Sequence, residues 1–242
     1  MLPDWSLALF FLIIAFTYAS VGFGGGSSYL AILAVAGLPF PEIRLTALIC
    51  NILVVTGAVL LFWQHKQLDL RKILPLVLVS IPLAFIGAKM RIEEAVFFKL
   101  LGCSLLAAST LLWFQPAKPL DDLTVSGASK PGREALLGGD IGLLSGMVGI
   151  GGGIFLSPIL HILRWDTARK IAATASVFIL VNSLAGLGGQ LAQLPADLNW
   201  NRILLLGSAV FVGGQLGSRI SIKTFDARLI RRITALLVFM AG

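Results

Sequence analysis

A glycine-rich sequence occurs twice within apolar stretches of this chain, as GFGGG at positions 22–26 and as GIGGG at 149–153. Backbone that leaves a helix inside hydrocarbon exposes N–H and C=O groups, each costing several kcal/mol if unpaired. Such backbone is tolerated only where protein or a cavity surrounds it. Two breaks at matching places in two halves of a chain are typical of a transporter's binding site.

The composition places these breaks in a membrane protein. The chain is 57% hydrophobic and only 13% charged, with a mean hydropathy of +0.92. This predicts an all-α, polytopic bundle in a lipid bilayer. The net charge of +7 comes from short basic clusters between apolar segments, which favours cytoplasmic loops over nucleic-acid binding.

Residues with metal-binding or catalytic spacing are not found in the sequence. Cys50 and Cys103 lie in apolar segments without a CxxC pattern or a nearby histidine, so we interpret both as buried apolar residues. No nucleophile and base occur at a plausible spacing. We therefore predict no metal, no cofactor and no enzymatic activity.

The apolar segments repeat in two halves. In the first half they cover 5–21, 27–37, 45–63, 73–88 and 100–114, and in the second 135–148, 154–163, 171–190, 203–218 and a run after Arg232. Thr46 and Ala47 correspond to Thr174 and Ala175 in this register. We predict repeats at 1–114 and 135–242, joined by a polar linker at 115–134. Each repeat would be a glycine-broken helical hairpin followed by three spans.

The distribution of lysine and arginine predicts the topology. If each glycine-broken unit returns to its own side, 14 of the 19 basic residues fall on one side of the membrane and 5 on the other. If each unit crosses once, the division is 12 to 7. The positive-inside rule favours the first case, which makes the repeats inverted. We expect a multi-pass inner-membrane protein with a cytoplasmic linker and periplasmic termini.

The glycine breaks predict a site for a small anion. A short helix that begins at a glycine run presents unpaired backbone N–H groups and about half a positive charge. Glycine is needed because a Cβ atom would keep the ligand away from the backbone. The predicted substrate-binding residues are Gly22, Gly24, Gly25, Gly26, Ser27, Ser28, Thr46, Asn51, Gly149, Gly151, Gly152, Gly153, Thr174 and Asn182.

Other interpretations of these residues remain open. The glycines could serve close helix packing, which we favour for the scattered Gly57, Gly87, Gly102, Gly186, Gly213 and Gly217. The polar residues in the spans could form interhelical hydrogen bonds instead of lining a cavity. Neither a dinucleotide fingerprint nor a P-loop is present. A passive anion channel and a structural or assembly protein are the alternative functions.

Asp140 lies within an apolar segment that leads to the second break. An acid inside a membrane span is a functional hypothesis by default, here proton coupling. Because Asp140 is close to the linker, it could instead reach the membrane interface.

The chain resembles the TauE/SafE family of sulfite exporters and related anion permeases. The resemblance rests on GFGGG at 22–26, on SGMVGIGGGIFLSPIL at 145–160, on the paired Thr-Ala positions, and on GAKM and GSRI closing the third spans. It covers the chain outside the linker. It implies an inner-membrane protein that exports sulfite, sulfoacetate or a similar organosulfonate, driven by the proton gradient. The sequence leaves open whether the chain forms a homodimer.

Overall fold

The computed structural model describes residues 3–20, 22–90, 92–114, 131–191 and 198–223. These residues form nine α-helices and no strand, which confirms the all-α prediction. The helices are α1 (Asp4–Ala19), α2 (Gly26–Val35), α3 (Phe40–Gln64), α4 (Leu70–Lys89), α5 (Glu94–Phe114), α6 (Pro131–Val148), α7 (Gly153–Ile162), α8 (Ala168–Gln190) and α9 (Trp200–Lys223). The apolar run predicted after Arg232 and most of the linker lie outside the described residues.

The helices have the length and surface of a membrane bundle. Four of those described are long and apolar enough to cross a bilayer, namely α3, α4, α8 and most of α5. Three more, α1, α2 and α7, are apolar but shorter. Large apolar side chains are exposed on the outside of the bundle, among them Phe10 and Ile13 on α1, Leu74 and Leu78 on α4, and Phe211 on α9. Lipid, rather than water, suits such a surface.

Two pairs of neighbouring helices run in the same direction. Gly138, Gly142 and Gly146 of α6 face Leu76, Ser80 and Ala84 of α4 in that order. Gly213 and Gly217 of α9 likewise face Leu12 and Phe16 of α1. Each half of the chain therefore contributes its first helix to a close pair with the fourth helix of the other half.

Ion pairs mark the two ends of the bundle. At the end that we call the Asp4 end, Arg202 at the start of α9 binds Asp4 and Glu42, at the starts of α1 and α3. At the opposite end, the Asp166 end, Lys72 in the first turn of α4 binds Asp166. The α6 helix begins near the Asp166 end, because Trp165 donates a hydrogen bond to Glu134 there. Hence α1 and α6 begin at opposite ends of the bundle.

Small residues make the parallel pairs close. A Cβ atom added to Gly87, Gly213 or Gly217 would collide with backbone atoms of the neighbouring helix. The packing role predicted for these glycines is confirmed, and it follows the general rule that small residues let membrane helices approach.

This packing predicts the effect of a single methyl group. A Cβ atom on Gly142 would lie 2.7 Å from the Cα atom of Ser80, so Gly142→Ala must push α4 and α6 apart. We expect a loss of about 1–3 kcal/mol in unfolding free energy, measured by thermal unfolding in detergent. The matched control is Gly188→Ala on α8, where the nearest atom is 3.8 Å away. Because alanine is the better helix former, this control should be neutral or stabilising; equal losses in both variants would contradict the packing argument.

Candidate functional site

The first glycine break ends where α2 begins, and Asn51 of α3 covers that helix end. Gly25 is the N-cap residue with φ 85°, a conformation that other residues rarely adopt. The amide N–H of Gly26 donates a hydrogen bond of 2.9 Å to Oδ1 of Asn51. Added Cβ atoms on Gly24 or Gly26 would collide with the same amide group. Glycine is thus required here so that the Asn51 side chain can reach the backbone.

The second break ends at α7 in the same manner and meets the same asparagine. Gly152 is the N-cap residue with φ 78°. A Cβ atom on Gly151 would lie 3.2 Å from Nδ2 of Asn51 and 2.9 Å from Oγ of Ser183. Asn51 therefore contacts both glycine segments, although they are about half the chain apart.

The two short helices run away from this meeting point in opposite directions. The α2 helix leads to the start of α3 at the Asp4 end, and α7 leads to the Asp166 loop. Their positively polarised N-termini both lie beside Asn51 in the interior of the bundle.

The two helix N-termini differ in how their N–H groups are used. With the register of about 128 residues that pairs Thr46 with Thr174, Ile179 of α8 is the counterpart of Asn51. Ile179 packs against Gly153 where Asn51 packs against Gly26. Since an isoleucine side chain accepts no hydrogen bond, the amides of Gly153 and Ile154 have no acceptor within the described residues. At α2 the amides of Ser27 and Ser28 likewise have no acceptor within the described residues, so both helix N-termini present unpaired N–H groups, and only at α2 does a side chain pair with one of them.

Several buried polar atoms of α3 and α8 also lack a partner. Within the described residues, Nδ2 of Asn51, Oγ of Ser183 and both amide atoms of Asn182 make no hydrogen bond. These three residues are at most 1% exposed. Leaving such a group unsatisfied costs about 1–3 kcal/mol, so native interiors rarely do so. A hydroxyl, an amide NH₂ and backbone N–H groups together suit a ligand rich in acceptor atoms.

The remaining predicted site residues lie at various distances from this meeting point. Gly22 and Gly149 lie in the glycine segments, each with positive φ. Ser27 is buried, and the hydroxyl of Ser28 is already bonded to that of Tyr18 at 2.8 Å. Thr46 and Thr174 are buried, more than one turn from Asn51 and Asn182 along their helices. Asp140 is on the exposed face of α6, away from the glycine segments.

The family comparison covers almost the whole chain. A family model described as "Sulfite exporter TauE/SafE" matches residues 7–242. The chain belongs to this family.

Relatives of this TauE/SafE member are named as transporters. The "Probable membrane transporter protein y4hK" of Sinorhizobium fredii is 33% identical over 98% of this chain and 95% of its own length. The "Probable membrane transporter protein MamO" of Magnetospirillum gryphiswaldense is 29% identical over 43% of this chain and 17% of its own length. No solved structure gives a significant match. The family and these relatives are membrane transporters, not enzymes.

Arg44 is a buried cation of this TauE/SafE member. From the sequence it was counted only among the basic residues. It is 6% exposed, and its Nη2 donates to the carbonyl oxygens of Gly146 and Met147 at 3.3 and 3.2 Å. Its guanidinium lies 5.7 and 5.5 Å from the ring centres of Phe40 and Phe97. Arg44 forms no salt bridge within the described residues, and its Nε has no partner. The signal that could have identified it was an arginine directly before the apolar segment 45–63, in a stretch that the helix Phe40–Gln64 includes.

The loop at the Asp166 end is held by a second group of charges. Asp166 accepts a 2.7 Å bond from Lys72, whose ammonium also lies 5.4 Å from the ring centre of Trp165. Burial raises the pKa of Asp166, but the hydrogen bonds from Lys72 and from the Thr167 N–H, with the charges of Lys72 and Lys170, outweigh it and hold the pKa below its ordinary value. With the offset of 130 residues that pairs Gly87 with Gly217, Lys72 corresponds to Arg202. Each end of the bundle therefore has an ion pair made by a cation from the start of the equivalent helix.

The two functions of the Asn51 side chain can be separated by substitution. Asn51→Asp keeps an oxygen for the Gly26 N–H, whereas Asn51→Ala removes it. Loss of a cap costs about 0.5–2 kcal/mol, so we expect Asn51→Ala to lower the melting temperature without ligand and Asn51→Asp to be clearly more stable than Asn51→Ala. Thermal unfolding of both variants measures this. Equal melting temperatures in the two variants would show that the cap contributes nothing.

The charges around Asp166 predict how stability depends on pH. A carboxylate whose pKa is lower in the folded state stabilises it above the unfolded-state pKa, and this contribution disappears as the pH falls through the folded-state pKa. We expect wild-type protein to be more stable than Asp166→Asn at neutral pH and the difference to shrink below about pH 4.

Melting curves of the two proteins between pH 7 and pH 3 provide the measurement. Asp140→Asn, which changes an exposed carboxylate without a salt bridge in the described residues, is the control. A difference between wild type and Asp166→Asn that stays constant with pH would refute the assignment.

Proposed function

We propose that this TauE/SafE member is a secondary transporter that exports a small sulfur-containing anion, sulfite or an organosulfonate. The anion binds at the N-terminus of α7, between the two glycine breaks. Its ligands are the amides of Gly153 and Ile154, Nδ2 of Asn51 and Oγ of Ser183. The sulfur chemistry and the outward direction rest on the description of the family.

The observation that carries this proposal is the convergence of unpaired donors on one buried point. Each of these donors can bond to an oxyanion, and the helix N-terminus adds its positive partial charge. Asn51 connects the two halves of the site, because its oxygen caps α2 while its nitrogen faces Gly151.

Inverted repeats give this site a transport mechanism. The first helices of the two halves begin at opposite ends, and the α1–α9 pair corresponds to the α6–α4 pair, as two halves related by inversion would be. Rocking of one pair against the other would open the site alternately to the Asp4 end and the Asp166 end. Positive residues gather at the Asp166 end, so we assign it to the cytoplasm and the Asp4 end to the periplasm of an inner membrane. Those described there are Lys66, Arg71, Lys72, Arg133, Arg164, Arg169, Lys170 and Arg219.

Burial of the site supports a carrier over a passive channel. Asn51, Asn182 and Ser183 are all nearly inaccessible, and ion pairs close both ends of the bundle. A conducting filter requires a path that is open on both sides of the binding site. Saturable counterflow without electrical conductance is the behaviour expected of this structure in proteoliposomes.

Ligand-induced stabilisation tests the site directly. Detergent-solubilised protein is screened by thermal unfolding against sulfite, sulfate, thiosulfate, sulfoacetate, taurine and chloride. A ligand at 100 times its Kd adds about 2.7 kcal/mol to the unfolding free energy, so we expect shifts confined to sulfur oxyanions or sulfonates. No shift with any of these anions would refute the proposal.

Two substitutions at the site connect that shift to named atoms. Ser183→Ala removes an unpaired hydroxyl at little cost to folding, and Asn51→Asp replaces the NH₂ donor by an oxygen. Losing a hydrogen bond to a charged ligand costs about 1.5–3 kcal/mol, or roughly 10- to 100-fold in Kd. Ser208→Ala on α9, whose hydroxyl bonds only within its own helix, should keep wild-type affinity.

A further inference from the structure

Arg44 combines deep burial with a positive charge that no acid neutralises. Glu42, two residues earlier on the same helix, is already bound to Arg202. The hydrogen bonds of Arg44 go only to the neutral carbonyls of Gly146 and Met147, near the end of α6. The partial negative charge of that helix end and two aromatic faces stabilise the guanidinium in part. A cation in such a place is costly, and an ionisable residue inside a membrane span usually has a functional role.

The position of Arg44 relates it to the central site. Arg44 and Asn51 are seven residues apart on α3, which is two helical turns, about 10 Å, along one face. Both contact the same stretch of chain, since Arg44 bonds to Gly146 and Met147 and Asn51 faces Gly151. Arg44 is on the Asp4 side of Asn51, between the central site and the Arg202 ion pairs.

The other half of the chain has no equivalent cation. In the repeat register Ala172 of α8 corresponds to Arg44, and Ala172 packs against Gly22. Of these two equivalent positions, only the one on the Asp4 side of the central site therefore carries a positive charge.

We propose that Arg44 forms a second anion site, on the path between the central site and the Asp4 end, for the same small oxyanions or sulfonates. This inference rests on the proposed function. The unpaired Nε–H of Arg44 can donate to an oxygen of an anion, and the charge of the guanidinium strengthens that hydrogen bond. An anion that moves inward from the Asp4 end loses its bound water in two steps. The Arg44 guanidinium replaces water first, and the donors at α7 replace it next.

Transport measured from each side of the membrane distinguishes an anion-binding role of Arg44 from a structural one. Arg44→Met keeps a long side chain without charge, and Arg44→Lys keeps the charge without the planar group. Lys99→Met is the matched control, because it removes an exposed cation of α5 near the same end. Sulfite and sulfoacetate counterflow is measured in proteoliposomes, with the substrate added from either side. Orientation is read from an impermeant thiol reagent and the Asn201→Cys substitution, in a Cys103→Ser background. The remaining Cys50 is buried, whereas Cys103 is exposed and not buried as predicted from the sequence.

We expect Arg44→Met to raise the KM about tenfold or more for anion offered at the Asp4 end, as for the loss of a charge-assisted hydrogen bond. The KM at the Asp166 end should change less than about threefold, and Lys99→Met should resemble wild type. Arg44→Lys should restore part of the affinity. A structural role would instead lower the melting temperature and affect both sides equally, which would overturn the inference.

The central site is monitored separately by the thermal shift with sulfite in detergent. If that shift is normal in wild type and Arg44→Met transports like wild type, only the Arg44 site is refuted. If wild-type protein binds no anion, the proposed function fails and this inference fails with it.

Discussion

The contact of Asn51 with both glycine segments is the constraint on which the interior of this protein depends. One amide side chain caps α2 through its oxygen and faces the second break with its nitrogen. That contact exists only because glycines at 24, 26 and 151 leave room for it. It fixes where two short helices begin, and so brings two positively polarised helix ends to one buried point.

The surrounding helices hold this point by close packing between the halves. The α1–α9 and α4–α6 pairs approach closely because their contact positions are small. Each pair joins helices from both halves, so neither half of the chain encloses the site alone. The ion pairs of Arg202 and Lys72 then fix opposite ends of the same bundle. This arrangement supports the proposed carrier, because the central polar residues are buried and ion pairs lie at both ends of the bundle.

Much of the fold was predictable because its signals are local. Hydropathy located the helices within a few residues, since the hydrocarbon core admits only long apolar segments. The predictions of the helix ends were less accurate. Helix α3 begins at Phe40 and α6 begins at Pro131, earlier than the apolar segments indicate. Proline in the first turn permits those earlier starts. The glycine motifs were recognised as the centre of the chain, but their partners were only partly identified. Ser183 was one of the polar span residues that could line a cavity or form an interhelical hydrogen bond, whereas Arg44 was only counted among the basic residues.

What the sequence determined by itself is the membrane location and the helical class, because composition and the spacing of apolar segments carry both. The duplication and a binding role for the glycine breaks are its further predictions. Only the tertiary structure decided which polar residues meet. The difference between Asn51 and Ile179 at equivalent helix ends, the unpaired hydroxyl of Ser183 and the unneutralised charge of Arg44 depend on contacts between residues far apart in the chain. A hydrogen bond is either made or missing according to distance and direction in space, and a linear pattern contains neither.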